Sequence, residues 1–376
     1  MKTQKIIISC GGTGGHIFPA LEIAKSLQKK DSNLDILFVG ASHRMEMQKV
    51  PKAGFPIKGL WIQVIYRKSI IKNILFPLKF IISLIQSFFI LLKHKPVAVI
   101  GTGGFASFPI LYTASWFRIN TYIQEQNCYP GLANRRLAKH VKRIFVAHDG
   151  MKIFFPENKI LNFGNPVRKS LKLSSISKKD SRDFFGLKEN TFTILILGGS
   201  LGAPPINKLV QDLFFLPNLF SEPFQFIWQT GESHNENDFK NFSNCFKTKF
   251  IDRMDLAYHA ADIVVSRAGA IAIAELCFLS KPSILIPSPH VTANHQTINA
   301  NYLKKNTAAF LISEKEIKNQ KPDSYFTNLI DFIESLIQDE NKREEIGKNA
   351  NQLFKYDAAD EISSIVLADF NFNNYV

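Results

Sequence analysis

The sequence predicts an α/β protein made of two units, each with a parallel sheet. Three observations carry that expectation. Short apolar runs alternate with helical stretches along all 376 residues, as they must when parallel strands are joined by helical crossovers. Three glycine-rich loops, Gly11-Gly-Thr-Gly-Gly15, Gly101-Thr-Gly-Gly104 and Gly198-Gly-Ser-Leu-Gly202, each follow an apolar run. The length is about two and a half times that of a typical domain.

Residues 5–9, 35–39, 97–100, 121–123 and 143–146 read as strands of the first unit. Residues 192–197, 225–228, 249–251, 263–265, 283–286 and 309–312 read as strands of the second. Turn residues at 163–168, followed by the Ser- and Lys-rich 169–183, mark the linker. The expected domains are 1–164 and 165–352, with a helix at about 353–376 able to pack back on the first.

Composition narrows the class. Hydrophobic residues make up 45% and charged residues 21%, which excludes a disordered or collagen-like chain. Four cysteines, Cys10, Cys128, Cys245 and Cys277, form no C-x-x-C pair, which excludes a zinc ribbon or disulfide scaffold and fits a reducing compartment. The first apolar run stops at Gly11, too short for the roughly 7–15 residues of a secretion signal, and is expected to be a strand. The longest apolar stretch, 80–92, is interrupted by Ser83, Gln86 and Ser87, and no membrane span is expected from it. The chain is therefore expected to be soluble or peripheral.

The net charge is +14, and no Asp or Glu occurs between Met47 and Gln124. Inside that stretch, 69–94 is amphipathic as a helix. Lys68, Lys72, Lys79, Ser83, Gln86, Ser87, Lys93 and His94 share one arc, opposite Ile, Leu and Phe. Pro77 calls for a break or a fresh helix start. Such a basic amphipathic segment suits an anionic membrane surface. It does not suit nucleic acid, because the charge is interleaved with aliphatic runs and no recognisable nucleic-acid module is present.

A strand, a glycine loop and a helix start together present free N–H groups to phosphate. The first loop has Ile17 where a dinucleotide fingerprint needs its third glycine, and the second strand ends without a carboxylate. No G-K-[ST] sequence is present, so a P-loop is excluded as well.

Eight motifs in order then carry a family resemblance. They are Gly11-Gly-Thr-Gly-Gly-His16-Ile-Phe-Pro-Ala20, Gly101-Thr-Gly-Gly-Phe-Ala-Ser107, Gln124-Glu-Gln-Asn127, Pro130-Gly-Leu-Ala-Asn134, Gly164-Asn-Pro-Val-Arg168, Gly198-Gly-Ser-Leu-Gly-Ala203, Ser266-Arg-Ala-Gly-Ala270 with Glu275, and His295-Gln-x-x-Asn-Ala300. The chain resembles the GT-B glycosyltransferases that add N-acetylglucosamine to undecaprenyl-diphospho-muramoyl-pentapeptide, turning lipid I into lipid II for peptidoglycan.

That resemblance implies two Rossmann-like domains facing across a cleft, acceptor on the first and UDP-N-acetylglucosamine on the second. It implies inversion in one displacement, no cofactor and no metal; no Asp-x-Asp occurs in the chain. His16 is the implied candidate base and Glu125 an orienting carboxylate. Thr13, Gly14 and Gly15 would line the transfer site, and Asn127 would contact the sugar. Arg168 and Ser200 would bind the donor, Ile251 would read uracil through its backbone, Glu275 would accept ribose hydroxyls, and Gln296 would hold the sugar. Residues Ala270, Ile271, Ala272, Ile273 and Ala274 match a segment that often carries hydroxyls; here it is apolar, so backbone N–H groups would serve the phosphate alone. The implied location is the cytoplasmic face of the bacterial inner membrane, with other cell-wall synthesis proteins as partners. The rival readings are another glycolipid-forming GT-B enzyme at a membrane and a non-catalytic UDP-sugar-binding protein.

Overall fold

A computed structural model of the protein describes residues 3–65, 71–172, 176–213, 220–234, 239, 243–291, 294–318 and 325–371. The chain forms two compact units, Met1–Val167 with Lys355–Val376, and Arg168–Phe354. The sequence reading set the boundaries at 164 and 352.

The first unit holds strands β1 (Lys5–Ser9), β2 (Asp35–Ala41), β3 (Ile57–Leu60), β4 (Ala98–Gly101), β5 (Asn120–Glu125), β6 (Arg143–Val146) and β7 (Ile160–Asn162). They lie in the order β3-β2-β1-β4-β5-β6-β7, and every neighbouring pair is parallel. Helices α1 (Gly14–Lys30), α2 (Glu46–Lys52), α3 (Phe76–His94), α4 (Ser107–Trp116) and α5 (Leu132–Leu137) make the crossovers. The second unit holds α6 (Lys178–Phe184), β8 (Phe192–Leu197), α7 (Pro204–Leu213), β9 (Phe224–Gln229), β10 (Cys245–Thr248), α8 (Met254–Ala260), β11 (Ile263–Ser266) and α9 (Ala270–Phe278). It continues with β12 (Ser283–Leu285), α10 (His295–Lys305), β13 (Phe310–Leu311), α11 (Glu314–Lys318), α12 (Tyr325–Gln338) and α13 (Glu340–Gln352). Its sheet order is β10-β9-β8-β11-β12-β13, again wholly parallel.

Strand β1 explains why the runs are apolar without alternation. Ile6 and Ile8 join the cluster on one face of the sheet, with Ile23 and Leu27 of α1. Ile7 joins the other, with Ile110 and Leu111 of α4. Successive side chains point to opposite faces, so a sheet covered on both sides needs an apolar residue at every position. The last helix, α14 (Ala358–Asn371), closes the first cluster through Ile362, Val366 and Phe370. Ser26 donates to Asp360 at 2.6 Å and Tyr122 to Asp369 at 3.1 Å, which pins that helix to the first unit.

Several expectations need correction. Residues 178–183, read as linker, belong to α6, started by a capping box between Ser177 and Asp180 and anchored by Arg182 on Asp262 at 2.7 Å. The strand expected at 249–251 is Cys245–Thr248, because the Ile251 N–H leaves the ladder for a side chain, Oε1 of Gln229. Strands β3 and β7, short and polar at their middles or ends, were not foreseen.

Helix α3 departs most from expectation. It starts at Phe76 with Pro77 in its first turn, where the missing N–H costs little. It therefore reaches 19 residues, long and apolar enough to cross a membrane by length and composition, and the shorter 80–92 stretch understated it. Its faces are also inverted. Ser83 and Ser87, in the polar arc, are fully buried, while Leu78, Ile81, Ile85, Phe89 and Leu92 are exposed. The two serine hydroxyls donate to the helix's own carbonyls at Phe80 and Ser83, so small satisfied groups face the protein. Gln86 accepts from Trp61 N at 2.8 Å, and Lys79 donates to Gln63 at 2.7 Å. The polar arc thus clamps the helix onto its domain. Lys93 is exposed, whereas Lys68 and the Lys72 side chain lie outside the described residues.

Candidate active site

The first unit brings its two glycine loops together at the carboxyl ends of β1 and β4. Gly104 has φ +84°, and a Cβ there would stand 2.3 Å from Gly11 O, so the loops touch backbone to backbone. Below them Glu46, fully buried, accepts from Gly12 N at 3.1 Å and Ala41 N at 2.9 Å, joining the first loop to the end of β2.

His16 stands in the first turn of α1, whose N-cap is Thr13. Its Nδ1 lies 3.0 Å from Gly11 O and 3.2 Å from Thr13 Oγ1. A carbonyl only accepts, so Nδ1 carries the proton and Nε2 is the basic nitrogen of the neutral ring. Gly103 lies against that ring: a Cβ would come 3.0 Å from Cδ2. Thr13 and Gly15 are exposed beside it, and Gly14 is half-buried.

Glu125 is 2% exposed and accepts four donors from the loop that follows it. These are Asn127 N and Nδ2, each at 3.1 Å, Gly131 N at 3.0 Å and Asn134 Nδ2 at 2.9 Å. The carboxylate is therefore the brace of the 126–134 loop and holds Asn127 in place. Beside it Gln124 donates to Asn165, Asn165 to Gln126 O, and Gln126 to Thr102 O. His148, in the same region, has its pKa lowered to about 4 by burial. The sequence singled out neither Glu46 nor His148.

In the second unit the Gly198–Gly202 loop leads into α7. Gly202 has φ +85°, and a Cβ would meet Thr230 O at 2.2 Å, so only glycine fits. Ser200 is half-buried there. Ile251, 4% exposed, follows β10. Residues Ala270–Ala274 form the first turns of α9, whose leading N–H groups have no place in the helix ladder. Glu275 follows on that helix; Arg168 donates to its Oε1 at 2.7 Å and Tyr258 to its Oε2 at 3.1 Å. Gln296 opens α10 and accepts from Ser288 N at 2.8 Å. The geometry therefore groups Gly199 with Ile251 through Gln229, and Arg168 with Glu275 through a direct ion pair. Tyr258 and Gln229 were missed; a polar residue ending a strand just before Thr230-Gly231 was the available signal for the latter.

Comparison with known proteins shows the family of the chain. Residues 6–146 match the glycosyltransferase family 28 N-terminal domain, and residues 193–362 match the family 28 C-terminal domain. The chain belongs to glycosyltransferase family 28. The N-terminal family 28 match takes in His16, Glu125 and Asn127; the C-terminal match takes in Ser200, Ile251, Glu275 and Gln296, and Arg168 falls between them. A relative from Flavobacterium psychrophilum is 46% identical, covering 97% of this chain and 99% of its own; one from Christiangramia forsetii is 43% identical, covering 95% of each. Both bear the name UDP-N-acetylglucosamine–N-acetylmuramyl-(pentapeptide) pyrophosphoryl-undecaprenol N-acetylglucosamine transferase.

Among solved structures, MurG of Acinetobacter baumannii matches with a TM-score of 0.72 at 23% identity, covering 97% of this chain and 99% of that one. The UDP-GlcNAc 2-epimerase of Neisseria meningitidis, solved with UDP-GlcNAc bound, matches with a TM-score of 0.66 at 18% identity, covering 97% and 100%. This family 28 chain is a glycosyltransferase of the GT-B class, with two Rossmann-like parallel-sheet domains.

Proposed function

We propose that the chain transfers N-acetylglucosamine from UDP-N-acetylglucosamine to the C4 hydroxyl of the muramoyl residue of lipid I, forming lipid II. The observation that carries this reading is identity above 40% along nearly the whole of both chains with transferases so named. His16 Nε2 takes the C4 hydroxyl proton as that oxygen bonds the anomeric carbon. The bond from the anomeric carbon to the UDP oxygen breaks on the opposite face, which inverts the centre. Glu125, committed to four N–H donors, is poorly placed to compete as base. Negative charge gathers on the departing UDP, and amides of the Gly198–Gly202 loop with the start of α9 are suited to receive it. No cofactor enters.

The acceptor's polyprenyl chain stays in the bilayer, so the enzyme works as a peripheral protein at the cytoplasmic face of the inner membrane. The exposed face of α3 supports this, with Trp61 and Trp116 exposed near it as amphipathic interface residues. The apolar face would enter the headgroup boundary, with Lys93 at the helix end meeting anionic lipid.

Incubation with labelled UDP-N-acetylglucosamine and a short-chain lipid I analogue, beside diacylglycerol and sterol acceptors, tests the reading. Label on the lipid I analogue alone is expected. Label on another lipid, or donor binding without transfer, overturns it.

A further inference from the structure

The two second-unit segments read as holding the donor are joined by one side chain. Gln229 ends β9 and is 3% exposed. Its Nε2 donates to Gly199 O at 3.0 Å, and its Oε1 accepts from Ile251 N at 3.0 Å. The orientation of the amide is dictated, since a carbonyl only accepts and an N–H only donates. Backbone bonds bracket the same turn on both sides. Glu232 N donates to Ser200 O and Gly231 N to Lys249 O, each at 3.0 Å. Among the described residues, Gln229 is the side chain that bonds both segments.

We propose that Gln229 is a positioning residue for the donor: it sets the spacing between the loop that cradles the diphosphate and the backbone that reads the base. UDP spans both, so its affinity depends on that spacing. Only Gln fits the task. It is long enough to reach both partners, and it offers one donor and one acceptor at one amide. The inference rests on the reading of these segments as the donor site.

Two variants of the full chain test it by calorimetric titration with UDP. Gln229→Glu keeps the shape and the acceptor for Ile251 N. When ionised, it sets a second acceptor against Gly199 O; when protonated, it recovers a donor. We expect its UDP dissociation constant to exceed the parent's about tenfold at pH 8, with the ratio falling toward one at pH 5. Gln229→Met lacks both bonds and is expected to be about tenfold weaker at both pH values. The KM for UDP-N-acetylglucosamine should rise in step, with kcat within about threefold of the parent. Equal UDP affinity in parent and variants overturns the inference alone, and so does a pH-independent ratio in Gln229→Glu accompanied by a lowered melting temperature, the mark of plain packing. A parent chain that binds no UDP overturns the donor-site reading, and this inference with it.

Discussion

Arg168 and Glu275 grip each other: the guanidinium Nη2 lies 2.7 Å and Nε 3.2 Å from the same carboxylate oxygen. The other oxygen accepts from Tyr258 at 3.1 Å, and Glu275 is only 6% exposed. A resemblance that assigns Arg168 and Glu275 to separate donor contacts therefore describes one unit. Breaking a buried pair from one side leaves the other charge uncompensated.

Glu275→Ala should weaken UDP more than tenfold. Tyr258→Phe, which removes one hydrogen bond of about 1 kcal/mol, should weaken it about fivefold. Burial and the Glu275 charge raise the Tyr258 pKa well above its ordinary value, so the hydroxyl remains a donor and the Tyr258→Phe effect should be constant from pH 6 to 9. Titration calorimetry checks both variants; unchanged UDP affinity would remove the pair from the donor site.

For His16, general-base loss is worth about 10²–10⁴ in rate. His16→Ala should lose that much kcat while binding UDP within twofold of the parent. Gly103→Ala, whose methyl would press on the His16 ring at 3.0 Å from a backbone at φ +96°, should also lose kcat, by tenfold or more. Steady-state kinetics with saturating donor distinguishes these from binding defects.

Glu46→Gln keeps the volume but provides one acceptor oxygen for two N–H donors. An unsatisfied buried group costs about 1–3 kcal/mol, so a melting temperature lowered by several degrees is expected in calorimetry. A melting temperature equal to the parent's would mean the Gly12 loop does not depend on this brace.

Membrane binding should follow the apolar face of α3. Ile85→Asp with Phe89→Asp should abolish flotation with anionic vesicles. Lys93→Glu should weaken it chiefly at low salt, where an exposed charge is least screened. Undiminished flotation of the Asp variant would reduce that face to a bystander.

The His148 pKa, lowered to about 4 by burial, gives a pH dependence with a definite sign. Between pH 4 and the ordinary histidine value near 6.5, the unfolded chain binds a proton that the folded chain refuses, so stability rises with pH there. The melting temperature should fall as pH drops from about 6.5 toward 4. His148→Gln should flatten that slope, and an equal slope in both proteins would assign it elsewhere.

Much of the fold was legible because parallel strands buried on both faces leave continuous apolar runs: β1, β6 and β8 were read to the residue. Short edge strands such as β3 carry Lys58 and Gly59 and leave no such run. Periodicity divided α3 into two faces but does not say which one faces inward. Serines that bond their own helix can line a packed face, and here they do. The glycine loops were legible as strand-end turns. Gln229 and Glu46 were not, because their partners are backbone atoms up to 30 and 34 residues away, and a backbone atom has no letter in the sequence.

The most direct test is a single incubation of the parent and His16→Ala with labelled UDP-N-acetylglucosamine and a lipid I analogue, reading both lipid-borne label and released UDP. One UDP released per sugar transferred is expected from the parent, and at least a hundredfold less of both from His16→Ala. Transfer by the variant at the parental rate, or UDP release by the parent without label in the lipid, would contradict the proposed mechanism.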